Sequence, residues 1–262
     1  MKRIALVLML VLTAQVQAQP TEWLENPAVG TLFQQAGIDG TFVLHEVGSD
    51  KVEGYNQARA QTRFYPASTF KIPNSLIGLS TGAVSSVDEV IPWDGKPKFL
   101  KSWERAMGLR EAITVSNYPI YQELARRVGL KRMTAQLAAL NYGNGQVGEQ
   151  VNTFWVEGPL TISAIEQTEF LERLVQDKLP FTPEIQEAVR EITLLEEGPN
   201  WRLYGKTGWS KAIKPGVGWW VGWVEQDGRY YTFALNMPMD DLKDASKRVE
   251  LGKASLRKLG LI

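Results

Sequence analysis

The clearest fold signal in the sequence is a β-hairpin signature, Val217-Gly218-Trp219-Trp220-Val221-Gly222-Trp223-Val224, followed by Asp227-Gly228 and Tyr230-Tyr231-Thr232-Phe233-Ala234-Leu235. Aromatic and β-branched residues on both sides favour strands. Asp-Gly between two such runs is a strong signal for a two-residue hairpin turn. The stretch therefore predicts two adjacent antiparallel strands near the carboxyl end of the chain.

Strand and helix signals occur in blocks along the rest of the chain. Further strands are predicted at residues 40–47, 52–55 and 201–209. Helices are predicted at residues 27–35, 121–128, 134–140, 163–177, 183–195 and 245–259, with one more beginning at Ser68 and a glycine-rich loop at 141–160. The order is helix, two strands, helical insertion, three strands, helix. It predicts an α+β fold: an antiparallel β-sheet flanked by helices, with an inserted all-helical subdomain and a cleft between the two lobes.

Ser68-Thr69-Phe70-Lys71 is the candidate catalytic motif. A serine nucleophile needs a base, and the chain has only one histidine that could serve. His45 lies in an apolar run that predicts a strand, so a Ser-His-Asp triad is not expected. A lysine three residues after a serine on a helix shares its face and can act as the base for a serine nucleophile. Pro66 suits the start of that helix, and Phe70 would carry it into the core.

The spacing alone is weak evidence, since a Ser-x-x-Lys pattern is expected about once by chance in a chain of this length. A second copy, Ser255-Leu256-Arg257-Lys258, illustrates this, and we interpret it as an exposed helix face without chemistry. The first copy differs because its helix is expected to enter the core, which would bury Lys71 beside Ser68. A buried lysine is unusual, whereas an exposed one is not.

The amino-terminal residues have the pattern of a secretory signal. Lys2-Arg3 precedes an apolar run at residues 4–12, and Val16-Gln17-Ala18 is a small-residue cleavage site. The run is too short to span a bilayer, so we expect residues 1–18 to be removed and no membrane association to remain. Because the chain contains no cysteine, disulfides and cysteine lipidation are excluded, which favours secretion into a bacterial periplasm.

The charge balance points to a small-molecule partner. The chain has 29 basic and 29 acidic residues, and loss of Lys2 and Arg3 leaves a net charge of about −2. This balance offers no attraction for nucleic acid or an anionic membrane. The sequence also contains no His or Cys cluster with metal-ligand spacing, so no metal is expected.

Three short motifs accompany the Ser-Lys pair. Lys206-Thr207-Gly208 lies on a predicted strand, where it offers a cation, a hydroxyl and a close backbone approach to a ligand. Tyr142-Gly143-Asn144 lies at a helix-to-loop boundary and can equally be a glycine-containing helix stop. Ser116 precedes a proline-containing helix start and can equally be an N-cap.

Together and in this order, the motifs resemble those of the class D serine β-lactamases, the oxacillinase family. The residues that carry the match are Ser68-Thr69-Phe70-Lys71, Ser116, Tyr142-Gly143-Asn144, Trp155 and Lys206-Thr207-Gly208. The resemblance extends over nearly all of the mature chain. It implies the fold shared by β-lactamases and penicillin-binding transpeptidases, and hydrolysis of penicillin-type β-lactams.

The resemblance also implies a role for each site residue. Ser68 would form the acyl-enzyme, with the backbone N–H groups of Ser68 and Trp209 as oxyanion donors. Lys71 would be N-carboxylated by CO2 or bicarbonate and act as general base, with no other cofactor. The indole N–H of Trp155 would bond the carbamate, although a loop tryptophan packed into the core is the alternative. Ser116 would relay a proton to the leaving nitrogen. Substrate contacts are expected from Lys206, Thr207, Gly208, Trp209, Tyr118, Tyr142 and Asn144.

Two positions depart from the family pattern. Tyr118 stands where the family usually has valine, so its phenol could crowd the deacylating water, alter carbamate stability or point into the core. The family often has an arginine shortly after Lys-Thr-Gly, whereas residues 209–214 contain none. Lys211 or Lys214 could substitute, with weaker carboxylate recognition because lysine lacks the bidentate fork of arginine.

Two alternatives remain open at this point. A penicillin sensor domain would stay acylated, and a transpeptidase or carboxypeptidase with the same nucleophile would turn over slowly. The cleavable signal without a second apolar span disfavours the first, and Tyr118 disfavours the second, whose Ser-x-Asn signature requires asparagine there. We expect one catalytic domain at residues 19–262, as a monomer or homodimer. Its α/β lobe is expected at about 19–79 and 198–262, and its helical lobe at about 80–197.

Overall fold

The hairpin signature forms the centre of the sheet in the computed structural model, which describes residues 22–262. Strands β6 (Val217–Gln226) and β7 (Arg229–Pro238) pair antiparallel along their whole length. Asp227 and Gly228 have φ angles of 50° and 76°. Positive φ at both central residues is what a type I′ turn requires. The predicted signal at residues 1–18 lies outside the described residues.

One seven-stranded sheet organises the described chain, in the order β1-β3-β2-β7-β6-β5-β4. The remaining strands are β1 (Glu22–Glu25), β2 (Thr41–Glu46), β3 (Lys51–Tyr55), β4 (Leu194–Glu197) and β5 (Trp201–Ser210). All neighbouring pairs are antiparallel except β1 with β3.

Helices cover both faces of the sheet. In chain order they are α1 (Pro27–Ala36), α2 (Gln57–Gln61), α3 (Lys71–Ser80), α4 (Leu109–Thr114), α5 (Tyr118–Val128), α6 (Leu130–Leu140), α7 (Ala164–Val175), α8 (Pro183–Glu191) and α9 (Ala245–Lys258). Short 3₁₀ turns occur at Ala67–Phe70, Lys101–Trp103 and Leu242–Asp244. No helix within residues 22–262 is long and apolar enough to cross a bilayer.

Alternation along β6 places its aromatic residues in two different cores. Trp219 and Trp223 face the core shared with the helical insertion, whereas Trp220 faces the core beneath the terminal helices α1 and α9. Successive side chains of a strand point to opposite faces, and here both faces are covered. This is why the strand is apolar throughout instead of alternating with polar residues.

The fold predicted from the sequence is confirmed, with corrections at both edges of the sheet. Strands β1 and β4 were not predicted, and β1 makes the sheet mixed because it runs parallel to β3. The helix predicted at 183–195 ends at Glu191, and Leu194–Glu197 forms β4 instead. Both strands are four residues long and almost wholly exposed, so neither carries the alternation of buried residues that reveals a strand.

The inserted segment is not separate from the sheet. Helix α7 lies in the predicted helical lobe at residues 80–197, yet it packs against β2 and β7. Strand β4, from the same segment, pairs with β5. The insertion therefore contributes both a covering helix and an edge strand, and the cleft lies where it meets the sheet.

Helix α9 packs closely on β6 at Gly252, and a substitution there can test this contact. A Cβ at this position would overlap the indole ring of Trp220. Gly252→Ala should lower the free energy of unfolding by about 1–3 kcal/mol, since overpacking outweighs the gain in helix propensity. Urea denaturation measures this, with Ser246→Ala on the exposed side of α9 as the control. Unchanged stability of Gly252→Ala would contradict the close packing of α9 on β6.

Candidate active site

The nucleophile candidate lies in a 3₁₀ turn that runs directly into α3. In a 3₁₀ turn, residues three apart eclipse each other. Ser68 and Lys71 are therefore brought together, and the Lys71 Nζ donates a hydrogen bond of 2.8 Å to the Ser68 Oγ. The geometry is that of a hydroxyl paired with an amine at the start of a buried helix.

The second Ser-x-x-Lys copy has a different geometry. Ser255 is fully buried, which corrects the expectation of an exposed face. Its hydroxyl donates to the backbone oxygen of Leu251 at 2.9 Å, while Lys258 is exposed. The serine and the lysine of this copy point to different environments, so the pairing at Ser68 is not a general property of the spacing.

The Lys71 side chain is 1% exposed. Burial lowers the pKa of its amine well below the usual range, and the nearby Lys206 cation lowers it further. Both effects disfavour the charged form. The amine is therefore able to take up a proton or to react as a nucleophile, whereas an exposed lysine would already be protonated.

Two residues beside the nucleophile adopt left-handed backbone conformations. Ala67 has φ 50° and Ser116 has φ 53°. Such conformations are unfavourable for residues other than glycine and occur often at functional sites. Ser116 is not the N-cap of α5, because the Asn117 side chain accepts the Ile120 N–H at 3.1 Å. The N-cap interpretation of Ser116 is therefore wrong, and its side chain lines the cleft.

The wall opposite Ser116 is strand β5, which carries Lys206-Thr207-Gly208. A Cβ on Gly208 would lie 2.9 Å from the Pro66 oxygen and 3.1 Å from the Thr69 Cγ2. The missing side chain thus lets β5 touch the turn that holds Ser68. The Lys206 Nζ donates to the Thr207 backbone oxygen at 3.0 Å, which directs the ammonium along the strand.

Between these walls lies a cavity of about 410 Å³. Its polar lining comprises Ser68, Ser116, Thr207, Lys211 and Arg248, next to the backbone of Gly208 and Trp209. Its apolar lining comprises Phe99, Leu100, Trp103, Tyr118, Val156 and Leu242. No carboxylate is part of this lining within residues 22–262. The cavity suits a partly apolar molecule that carries negative charge.

Arg248 is a site residue that sequence reasoning missed. It lies on α9, is 8% exposed, and donates from its Nη1 to the Gly208 backbone oxygen. An arginine thus lies beside the Lys-Thr-Gly strand although residues 209–214 contain none, and it comes from the carboxyl-terminal helix. A signal did exist, because Arg248 shares its helix face with the buried residues Leu251, Gly252 and Ser255. A charged residue on a buried face usually has a specific role.

The two lysines proposed as substitutes differ in position. Lys211 lines the cavity, with its Nζ 5.3 Å from the centre of the Trp209 ring. Lys214 is directed to Asp240, with its Nζ 3.5 Å from a carboxylate oxygen. Of the two, Lys211 alone is part of the cavity lining.

Cationic groups lie on and beside the cavity: Arg248 is part of its lining, whereas Lys206 is buried outside the lining, next to Thr207. Burial, followed by repulsion from Arg248, lowers the pKa of Lys206 to about 7. Burial also lowers the pKa of Arg248 to about 10. Like charges placed together out of water raise the energy of each protonated group. An anion bound between them would relieve that repulsion.

Trp155 is fully buried, and its indole N–H has no hydrogen-bond partner within residues 22–262. The ring stacks on Phe70 with centroids 5.4 Å apart and an interplanar angle of 23°. A buried donor without an acceptor costs about 1–3 kcal/mol. No residue within 22–262 accepts a hydrogen bond from this donor, so it is available to a bound group.

Tyr118 forms part of the cavity wall. Its ring meets the Trp155 ring edge-on, with centroids 5.9 Å apart and an interplanar angle of 74°. Its hydroxyl donates to the Asn152 backbone oxygen at 3.4 Å. Burial, assisted by Glu157, raises the pKa of the phenol to about 12, so it is neutral at neutral pH. Tyr118 thus lines the cavity and also packs against the core through its ring.

Tyr142 and Asn144 lie outside the cavity lining, contrary to the substrate contacts expected for them. Tyr142 is 1% exposed and donates to the Gln167 Oε1 at 3.3 Å. Asn144 donates to the Pro159 oxygen at 2.9 Å and accepts the Thr161 N–H at 3.1 Å. Gly143 between them has φ 55°. The helix stop itself is Asn141, which caps α6 in a left-handed conformation just before the motif. Tyr142 instead supports Phe70 from behind the site.

The expectation for His45 agrees with the structure. It lies on β2, where its Nε2 is 2.9 Å from the Ser49 oxygen and its Nδ1 is 3.3 Å from a Glu172 carboxylate oxygen. It does not line the cavity that holds Ser68.

The site combines a serine that is hydrogen-bonded to a buried lysine with a facing strand that carries Lys-Thr-Gly. This combination is typical of penicillin-binding acyl-transfer proteins. In agreement, the family described as the penicillin binding protein transpeptidase domain matches residues 32–257. β-Lactamase OXA-5 of Pseudomonas aeruginosa is 42% identical over 100% of this chain and 99% of its own length. β-Lactamase OXA-48 of Klebsiella pneumoniae is 39% identical over 92% and 91%.

A solved structure identifies the class of β-lactamase. FUS-1 (OXA-85), a class D β-lactamase from Fusobacterium nucleatum subsp. polymorphum, superimposes with a TM-score of 0.89 and 45% identity, covering 91% of this chain and 100% of the other. The chain belongs to the class D β-lactamases. The family, the fold and the enzyme class predicted from the sequence are confirmed.

Proposed function

We propose that this enzyme hydrolyses the amide of penicillin-type β-lactams through an acyl-enzyme on Ser68. The observation that carries the proposal is the 2.8 Å hydrogen bond between the Lys71 Nζ and the Ser68 Oγ. It joins the nucleophile to a buried base in a cavity whose cations favour an anionic substrate.

Acylation follows from the positions of the chain's own groups. The Ser68 Oγ gives its proton to the base on Lys71 and forms a bond to the β-lactam carbonyl carbon. The backbone N–H groups of Ser68 and Trp209 are the proposed donors to the oxyanion. Ser116 then relays this proton from the base to the β-lactam nitrogen as the C–N bond breaks, giving up its own hydroxyl proton and regaining one from the base. A water molecule finally releases the acyl group from Ser68.

The residues around Lys71 fit a carbamate formed with CO2. A neutral buried amine is the form that reacts with CO2. The unpartnered Trp155 N–H offers a donor for the resulting carboxyl group. When bound, this group supplies the general base for acylation and for the hydrolytic water. Bicarbonate or CO2 is the one small cofactor that we propose.

Recognition of the substrate carboxylate is assigned to β5 and α9. Lys206 offers an ammonium, Thr207 a hydroxyl and Arg248 a guanidinium near the Gly208 oxygen. Charge-assisted hydrogen bonds of this kind are stronger than neutral ones. The amino-terminal pattern of residues 1–18 further supports export to a bacterial periplasm, where such a substrate would be met.

Intact-protein mass spectrometry after mixing with a penicillin in bicarbonate tests the proposal. An adduct of the drug's full mass should appear and then decay while penicillin is consumed. Ser68→Ala should form no adduct, whereas Ser255→Ala, which alters the second Ser-x-x-Lys copy, should behave like the wild type. An adduct that persists for hours would instead favour the sensor or the slow transpeptidase. Adduct formation by Ser68→Ala would remove Ser68 from the mechanism.

The lowered pKa of Lys206 predicts that the KM for an anionic penicillin depends on pH. With a pKa of about 7, Lys206 is cationic below that pH and loses its charge as the pH rises through it. The KM for an anionic penicillin should therefore rise by up to about tenfold from pH 6 to pH 8. Lys206→Arg stays charged and should flatten the profile. Steady-state kinetics across this range measures the change, and equal pH dependence in both proteins would contradict the role of Lys206.

Arg248→Ala should raise the KM by about tenfold or more, because a hydrogen bond to a charged group contributes about 1.5–3 kcal/mol. Arg248→Lys should recover part of the loss. Lys214→Ala, at the lysine directed to Asp240 outside the cavity lining, serves as the control. A KM that is the same for Arg248→Ala and the wild type would exclude Arg248 from carboxylate binding.

A further inference from the structure

Two side chains of α5 donate hydrogen bonds to the same backbone carbonyl. The Gln122 Nε2 lies 3.1 Å from the Asn152 oxygen, and the Tyr118 hydroxyl lies 3.4 Å from it. Residues four apart on a helix share one face, and a carbonyl oxygen has two lone pairs. The two bonds together fix the segment at Asn152 to the first turns of α5. We call this pair of bonds the α5 clamp.

The clamped segment carries Trp155. Residues 151–157 form turns without helix or strand, so hydrogen bonds and packing determine the path of the backbone. On one side of Trp155, the Tyr118 ring meets the indole edge-on. On the other, Phe70 stacks on it, and the Ala67 N–H donates to the Trp155 oxygen at 2.7 Å. The indole is thus held between α5 and the turn that holds Ser68.

The position of the indole determines where its unpartnered N–H lies. A hydrogen bond depends steeply on distance and angle, so a small displacement of the ring would weaken a bond to a group on Lys71. Tyr118 and Gln122 are both half-buried. Removing one donor from either side chain therefore changes the clamp without opening a cavity in the core.

We propose that Tyr118 and Gln122 are positioning residues which, through Asn152 and Trp155, set how tightly CO2 is held on Lys71. The proposal rests on the carboxylation of Lys71 under the proposed function. In that step the neutral Nζ forms a bond to the carbon of CO2, a C–O π pair moves to oxygen, and one N–H proton leaves to solvent. The clamp contributes by holding the Trp155 donor ready for the new carboxyl oxygen.

Carbon-13 NMR of the protein with labelled bicarbonate measures the carbamate directly, without substrate. The variants are Tyr118→Phe, which removes only the hydroxyl, and Gln122→Leu, which removes the amide. Each should need about fivefold more bicarbonate for half-maximal carbamate, as expected for one lost hydrogen bond. The double variant should need more than either single variant. Glu123→Gln, on the same helix but paired with Arg126 and Arg127, is the matched control.

A second measurement separates positioning from a general structural effect. At low bicarbonate, the variants should accumulate acyl-enzyme on Ser68, and high bicarbonate should restore wild-type turnover. Wild-type bicarbonate affinity in both single variants and in the double variant would overturn the proposal, as would an equal loss in Glu123→Gln. If the wild type itself gives no carbamate signal, carboxylation of Lys71 fails and the role of the clamp fails with it. The wild-type spectrum thus distinguishes the two failures.

Discussion

The burial of one amine governs this active site. Lys71 follows Ser68 by three residues, but spacing alone has no chemical effect, as the copy at Ser255 shows. At Ser68 the 3₁₀ turn leads into a helix whose first residue is already inside the protein. Removing water from Lys71 favours its neutral form. That single change converts an ordinary cation into a base and explains why the site needs no imidazole.

The surroundings of the amine are consistent with this requirement. Lys206 and Arg248 add positive charge, and no carboxylate enters the cavity lining within residues 22–262 to neutralise it. A nearby Asp or Glu would restore the charged form of Lys71. Positive charge from Lys206 adds to the effect of burial in lowering the pKa of Lys71, and the cations that line the cavity also attract an anionic substrate. One electrostatic arrangement thus serves both the base and the binding site.

Much of the architecture could be predicted from local patterns, and the failures share a physical cause. The β6–β7 hairpin and the Ser68–Lys71 pair are local in sequence, so turn chemistry and helical spacing revealed them. The edge strands β1 and β4 are exposed and short, and they exist through pairing with distant partners. Arg248 reaches Gly208 only through the packing of α9. A substrate contact was predicted for Tyr142 from its motif, but the side chain is buried. A short motif does not show which side of a loop faces the core.

The position of β2 in the sheet has a consequence for how the chain reaches its native state. Thr41 on β2 pairs with Asn236 on β7, so the two ends of the described chain meet at the centre of the sheet. Every residue of the insertion must be available before this pairing can close. Such long-range closure slows folding, because loop entropy is lost before contacts compensate for it. A nascent chain of this topology therefore cannot complete its sheet until its last strands emerge from the ribosome.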